Sequence, residues 1–164
     1  IVGSTIPRYT YSLNLDFGWK GLRLSMLFQG VGKTDGYLNT YYVMPSNQGG
    51  TFRKEHIDFA CAANPGGVTP RLTSANKNNW YDSSLWMKSA AYLRLKNIQL
   101  GYDLPKSWMR KIGLKSAYVY VNAQNLFTAT NFWDGYDPEV GVDGIYWGGY
   151  PRLRKYAIGL DLKF

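Results

Sequence analysis

The sequence predicts an all-β chain: an antiparallel sheet of long strands that forms part of a transmembrane β-barrel. Three observations carry that prediction. Residues Thr10 to Gly30 alternate strictly between large apolar and polar or small side chains. The connectors between strand candidates are short at one end and long at the other. Charged residues make up 18% and aromatic residues 16% of the 164-residue chain, with 14 Tyr and 6 Trp. Soluble domains average about 25% charged residues.

The first strand places Tyr11, Leu13, Leu15, Phe17 and Trp19 on one face, with Ser12, Asn14, Asp16 and Gly18 on the other. After Lys20-Gly21 the phase inverts, and Leu22, Leu24, Met26 and Phe28 become the apolar set. A two-residue hairpin produces that inversion. It pairs Trp19 with Leu22, Phe17 with Leu24, Leu15 with Met26, Leu13 with Phe28, and Asp16 with Ser25. Lys-Gly suits a type I′ turn less well than Asn-Gly, and a type I turn with a Gly bulge gives a slightly different register. Strands of roughly 10–12 residues exceed the usual ~5–6 and suit a tilted membrane-crossing strand.

From about residue 31 to residue 90 the alternation is lost, and Gly, Asn, Pro, Ser and Thr dominate. Within that stretch Phe52 to Ala63 has the pattern of a short helix. A loop of this length is foreign to a compact soluble domain but expected on the outer face of a membrane barrel. A third strand starts near Tyr92, and its slip of phase at Lys96-Asn97 predicts a β-bulge. Pro105 to Gly113 reads as a compact connector, one helical turn capped by Ser107 and closed by Gly113. A fourth strand is expected over Ala117 to Thr128, a second Gly/Asp/aromatic loop at about 130–150, and a fifth strand over Arg152 to Phe164. The short connectors then face the periplasm. Trp19 and Phe164 lie near the inner interface and Tyr9 and Tyr11 near the outer one, as aromatic girdles require. Five strands do not close a membrane barrel, whose smallest members have about 8, so residues 1–164 read as the last part of a larger protein. The competing reading is a soluble sheet whose apolar face is packed core.

No run approaches the ~20 apolar residues of a membrane helix. The net charge is +8. Its cations are scattered, with small groups at Lys106/Arg110/Lys111/Lys115 and Arg152/Arg154/Lys155. Nucleic-acid binding needs basic residues clustered on one face, so no nucleic-acid partner is expected. The single cysteine, Cys61, excludes an intrachain disulfide framework. No signal-peptide pattern opens the chain at Ile1, so an export signal is expected upstream or already removed.

Catalytic chemistry has no footing here: no nucleophile motif, phosphate loop or dinucleotide fingerprint is present. The one histidine, His56, has Glu55, Asp58 and Cys61 near it in sequence. Tight metal sites need three or four converging ligands, so a solvated loop or short helix is the expected setting. No metal site and no cofactor are expected. The acidic group Asp134, Asp137, Glu139 and Asp143 offers oxygen ligands for calcium but lacks the spacing of a calcium loop, and Asp137-Pro138 is more simply a turn. The outer-loop aromatics Trp80, Tyr81, Trp86, Trp133, Tyr136, Tyr146 and Trp147 are candidates for contact with substrate or a partner, since Tyr and Trp favour such surfaces. Packing of the loops against each other is the equal alternative. Asn14, Asp16, Arg23 and Gln29 are expected to face the barrel lumen, hydrating it or holding a plug.

Several stretches carry a resemblance beyond pattern. Tyr92-Leu93-Arg94-Leu95-Lys96-Asn97, Gly101-Tyr102, Leu104-Pro105, Gln124-Asn125-Leu126-Phe127-Thr128, Gly135-Tyr136-Asp137-Pro138-Glu139 and Tyr150-Pro151 resemble the C-terminal region of SusC/RagA-like TonB-dependent outer-membrane transporters of the Bacteroidetes. Asn64-Pro65 and Pro70-Arg71-Leu72 fit as well. The resemblance covers nearly the whole chain. One departure is Ala60, where family members often carry Trp after the pair equivalent to Asp58-Phe59.

The resemblance implies the last five strands of a plugged barrel of about 22 strands, with extracellular loops at about 31–90 and 130–150. It implies active, TonB-dependent import of glycans or oligopeptides, and no enzyme. The partners it implies are the rest of the barrel and its plug domain, a SusD-like surface lipoprotein, outer-membrane lipid, and the TonB complex acting through a part of the protein outside these residues. It also implies that Phe164, closing the alternation Leu160, Leu162, Phe164, is the aromatic signal read by the insertion machinery. An extracellular carbohydrate-binding β-sandwich and a passive porin-like barrel are the competing functions.

Overall fold

The computed structural model describes residues 3–37, 52, 54–73, 78–81, 83–140 and 150–164. Among these residues the strands are β1 (Tyr9–Trp19), β2 (Leu22–Gly32), β3 (Asp35–Tyr37), β4 (Met87–Ser89), β5 (Tyr92–Asp103), β6 (Ser116–Gln124), β7 (Thr128–Thr130) and β8 (Lys155–Lys163), with a short helix, α1 (Lys106–Lys111). The main sheet is antiparallel in the order β1-β2-β5-β6-β8, and β7 also pairs with β5. β3 and β4 form a separate two-stranded sheet.

The hairpin has the register its alternation predicts. Trp19 pairs with Leu22, Phe17 with Leu24, Leu15 with Met26, Leu13 with Phe28, and Asp16 with Ser25. Lys20 and Gly21 both have positive φ, 46° and 89°, which is the type I′ turn. The Lys20 ammonium stands 5.0 Å from the Trp19 ring centre. The bulge in β5 is also where the phase slips. Leu27 pairs with Asn97 and Phe28 with Leu95, which leaves Lys96 as the extra residue.

Register carries one apolar face across all five strands. Phe17 pairs with Leu24 and Leu24 with Leu100. Leu100 pairs in turn with Val121, and Val121 with Ile158. Among the described residues nothing covers this face: Ile158 is 83% exposed, Trp19 69% and Phe17 57%. The buried residues lie at the two ends of the sheet instead. Trp86, Ala90, Tyr92, Leu95 and Phe132 are buried toward the long-loop end, and Met109 and Ala117 at the short-connector end.

Aromatic rings fill the places of missing side chains on the sheet. A Cβ at Gly101 would overlap the Tyr118 ring, and one at Gly159 the Tyr120 ring. Such rings cover strand glycines and fix register. Near the long-loop end Tyr11 lies over Gly30 in the same way, and its hydroxyl donates to the Tyr92 carbonyl at 3.1 Å.

Four expectations are corrected. Ser107 caps nothing: it lies inside α1, Pro105 occupies the N-cap, and no side chain caps the helix. Gly113 does close the turn, with φ 75° and Leu114 N–H donating to Met109 O at 3.0 Å. The fourth strand ends at Gln124, because Asn125 turns to φ 53° before β7 resumes pairing with β5. The fifth strand starts at Lys155 rather than Arg152. In place of a helix over Phe52 to Ala63, one 3-10 turn forms at Lys54–Ile57, and Cys61 and Asn64 exchange backbone hydrogen bonds at 3.0 Å.

Candidate functional site

Three of the sequence stretches singled out above converge on one buried ion cluster at the long-loop end of the sheet. Arg94, on β5, is 3% exposed, and all three of its guanidinium nitrogens are engaged. Nη2 donates to Asp137 Oδ1 at 2.5 Å, Nη1 to Glu139 Oε2 at 2.7 Å and Nε to Thr128 Oγ1 at 2.8 Å. Lys96 Nζ donates to both oxygens of Glu139, at 2.5 and 2.7 Å. A buried cation this completely paired avoids the penalty of an isolated charge.

The bulge accommodates this cluster. Lys96 and Asn97 both make polar contacts. Lys96 reaches Glu139, while Asn97 Oδ1 accepts from Asn122 Nδ2 on β6 at 2.8 Å. In the turn after β6, Asn125 N–H donates to Lys96 O at 3.0 Å. Its side chain donates to Leu153 O at 3.0 Å, tying the segment that leads into β8 to the same point. Asn tolerates the left-handed conformation that this turn needs better than most residues.

Asp137 is the hub of the loop. Its Oδ1 also accepts from Glu139 N–H at 3.0 Å, and its Oδ2 from Arg152 N–H at 2.8 Å. The two ends of segment 137–152 are therefore held by one carboxylate. Burial pushes the Asp137 pKa up. The Arg94 side chain and the backbone N–H groups of Glu139 and Arg152 outweigh that, and the net pKa lies below the ordinary carboxylate value.

A second polar constellation occupies the face opposite the apolar one, near the short connectors. Arg23 donates to both Asp103 carboxylate oxygens at 2.6 Å, and its guanidinium lies 5.0 Å from the Tyr118 ring centre. Tyr118 and Tyr120 stack at 5.5 Å. Gln99 donates to the Tyr118 hydroxyl at 3.3 Å. Asp16, Arg23, Ser25, Gln99 and Tyr118 line one shallow recess. Asn14, Asp16, Arg23 and Gln29 fall on this polar face by register, and Asn14 donates to Asp16 at 2.8 Å.

The loop aromatics divide. Tyr81 is 71% exposed, whereas Trp86 is 3% exposed with its indole N–H donating to Asn79 O at 3.1 Å. Trp86 is thus loop core rather than an open contact surface. Trp133 is half-buried under the Lys88 ammonium, 3.9 Å from its ring centre, and Tyr136 is half-buried beside it in sequence. Trp80 belongs to a 3-10 turn at Asn78–Trp80. Tyr146 and Trp147 lie outside the described residues.

His56 is buried rather than solvated, set edge-on to Phe52 at 6.4 Å. Among the described residues no three His, Cys, Asp or Glu side chains converge as metal ligands. Of the acidic group, Asp134 is exposed, Asp137 and Glu139 are bound by cations, and Asp143 lies outside the described residues. Phe164 follows the last strand and is 79% exposed.

Sequence reasoning missed Arg94, Lys96 and Arg152 as the partners of the acidic loop. A signal was present. Arg94 and Lys96 are two apart on a strand, and Asp137 and Glu139 are two apart in a loop, so two cations and two anions stand at matched spacing.

No protein-family model matches the sequence. Among curated proteins the chain is similar over its whole length to TonB-dependent receptor P3 of Formosa agariphila, at 28% identity over 175 residues. It is 36% identical over 86 residues to the TonB-dependent receptor SusC of Bacteroides thetaiotaomicron, a match covering 51% of the chain. Among solved structures it superposes along its entire length on the RagAB peptide transporter, with TM-score 0.81 and 29% identity. It also superposes on the RagAB peptide importer in its 'open-open' state, with TM-score 0.79 and 30% identity. The chain spans 17% of the receptor P3 and 18% of the matched RagAB chain.

Proposed function

We infer, for a chain related along its whole length to the SusC/RagA-like TonB-dependent receptors, that it forms the C-terminal part of the wall of an outer-membrane nutrient importer. One observation carries this reading: the apolar face that runs unbroken across five paired strands and that none of the described residues covers. A sheet in water buries such a face against a second layer. In a bilayer the lipid tails cover it, and every backbone group of the spanning strands finds its partner in the next strand. The strands have the matching length, 11 residues in β1 and β2 and 12 in β5, against about 9–11 for a tilted membrane strand.

In this reading the polar face lines the lumen, where Arg23–Asp103 and the stacked tyrosines meet the plug. The long loops lie outside the cell under a SusD-like lipoprotein. Energy comes from the TonB complex through parts of the protein beyond these residues. The ion cluster holds the second outer loop in a fixed position on the barrel rim. The cargo class is glycan or oligopeptide, and the superposition on a peptide importer supports including peptides in any screen.

Growth of a strain deleted for the full-length protein, on panels of glycans and oligopeptides as sole nutrient, tests the function. Loss of growth on one class, restored by the intact gene, is the expected result. Undiminished uptake of every tested compound, measured with labelled substrates to exclude a redundant importer, contradicts it.

A further inference from the structure

The residues from Leu104 to Ala117 hold four cations, Lys106, Arg110, Lys111 and Lys115, and no carboxylate. All four side chains are exposed, and among the described residues none takes part in an ion pair. Two more lysines lie at the same end of the sheet: Lys20 in the hairpin turn and Lys163, whose carbonyl accepts from Lys115 N–H at 2.8 Å.

Apolar side chains are exposed alongside these charges. Trp108 is 60% exposed and Ile112 65%. Trp108 lies within α1 and Ile112 is the residue that ends it. Met109 between them is buried and anchors the turn. Next to this connector the open apolar face of the sheet ends in Tyr102, Trp19 and Leu162, all exposed.

We propose that the connector Pro105–Gly113 is a docking surface for anionic phospholipid headgroups in the inner leaflet of the outer membrane. Trp108 and Ile112 sit at the headgroup–acyl boundary, and the four cations hold the headgroup phosphates. This rests on the membrane reading above and goes beyond it, because an uncharged interface would serve a barrel equally well. Two features select the occupant. The apolar pair is exposed at the end of the sheet where the face assigned to lipid stops, and the exposed cations, in no ion pair among the described residues, are complementary to phosphodiester anions. Trp is favoured at such interfaces, and basic residues beside an apolar insertion are the pattern of interfacial lipid binding.

The test uses the full-length protein in nanodiscs of phosphatidylcholine mixed with phosphatidylglycerol, followed by native mass spectrometry of the lipids retained on release. The wild type retains phosphatidylglycerol in preference to phosphatidylcholine. Each basic residue near an anionic surface contributes about 1 kcal/mol, or about fivefold in partitioning. The variant K106Q/R110Q/K111Q/K115Q therefore loses that preference by at least about fivefold. K106R/K111R/K115R, which keeps every charge, retains it and confirms that the connector still folds. An unchanged preference in the neutralised variant overturns the proposal while leaving the barrel intact. Capture by a periplasmic protein in place of lipid, seen as a connector-dependent crosslink with no lipid preference, overturns it as well. Failure of the wild type to enter nanodiscs at all overturns the membrane reading itself.

Discussion

Arg94 and Asp137 are 43 residues apart in the chain and 2.5 Å apart in space, both buried. Between them lie a hairpin connector, two strands and part of a long loop. The contact is the buried centre of the cluster, with Glu139 and Arg152 N–H, that ties this loop back to β5. Breaking it from one side leaves an unpaired buried charge, which costs about 3–5 kcal/mol. Arg94→Met in the full-length protein should show a loss of this size in denaturant unfolding from lipid vesicles. Arg94→Met combined with Asp137→Leu should cost clearly less than the two single changes added together. Additive losses would mean that the two side chains do not act as a pair.

The depressed pKa of Asp137 gives the loop a pH signature. A carboxyl group with a lower pKa in the folded state stabilises the fold fully above its unfolded value of about 3.9, and that contribution is lost as pH falls through the lower folded value. A spin label at exposed Asp134→Cys should therefore keep one mobility from neutral pH down to about 4 and loosen only below it. In the Asp137→Asn background this acid-dependent change should shrink. Loosening centred near pH 6 would assign the control to another group.

The glycines beneath the tyrosines make a packing prediction. Gly101→Ala places a methyl group where the Tyr118 ring lies, and overpacking of this kind costs about 1–3 kcal/mol. In a Tyr118→Ala background the same change should cost little, because the ring is gone. An equal cost in both backgrounds, from unfolding curves, would place the strain in the backbone instead.

Charge on the two faces of the sheet should be tolerated unequally. Leu15→Arg or Leu24→Arg should destabilise the full-length barrel by ~2–4 kcal/mol if the site lies near the bilayer midplane. Ser25→Arg, on the polar face, should cost much less. Similar losses at all three positions would argue against the orientation.

The sheet was legible in the sequence wherever side chains alternate against a fixed turn. Period two plus Lys20-Gly21 fixes the β1–β2 register, and the phase slip at Lys96-Asn97 marks the bulge. The connector ends were less legible. Ser107 has the residue type of a cap, but Pro105 leads the chain into the helix two residues earlier. The fourth strand overshoots because Asn125 breaks pairing through its backbone angle, which a polar residue in an alternating run does not announce. The ion cluster was hidden for another reason. Its partners, Arg94 and Asp137, meet through tertiary closure, and each alone reads as an ordinary strand cation or turn aspartate. Trp86 is a contact candidate by residue type, yet it is 3% exposed and its indole N–H is taken up by Asn79 O, seven residues back in the loop.

Lipid contact along β1 tests the central claim most directly. Single spin labels at Leu13→Cys, Asn14→Cys, Leu15→Cys, Asp16→Cys and Phe17→Cys, in the full-length protein freed of other cysteines and reconstituted in lipid, are read by their collision rates with oxygen and with a nickel chelate. Oxygen concentrates in the hydrocarbon and the chelate in water. The expected result is alternation: oxygen dominates at Leu13, Leu15 and Phe17, and the chelate at Asn14 and Asp16. If the chelate reaches Leu13, Leu15 and Phe17 as readily as their neighbours, the apolar face does not meet lipid, and the barrel-wall account is wrong.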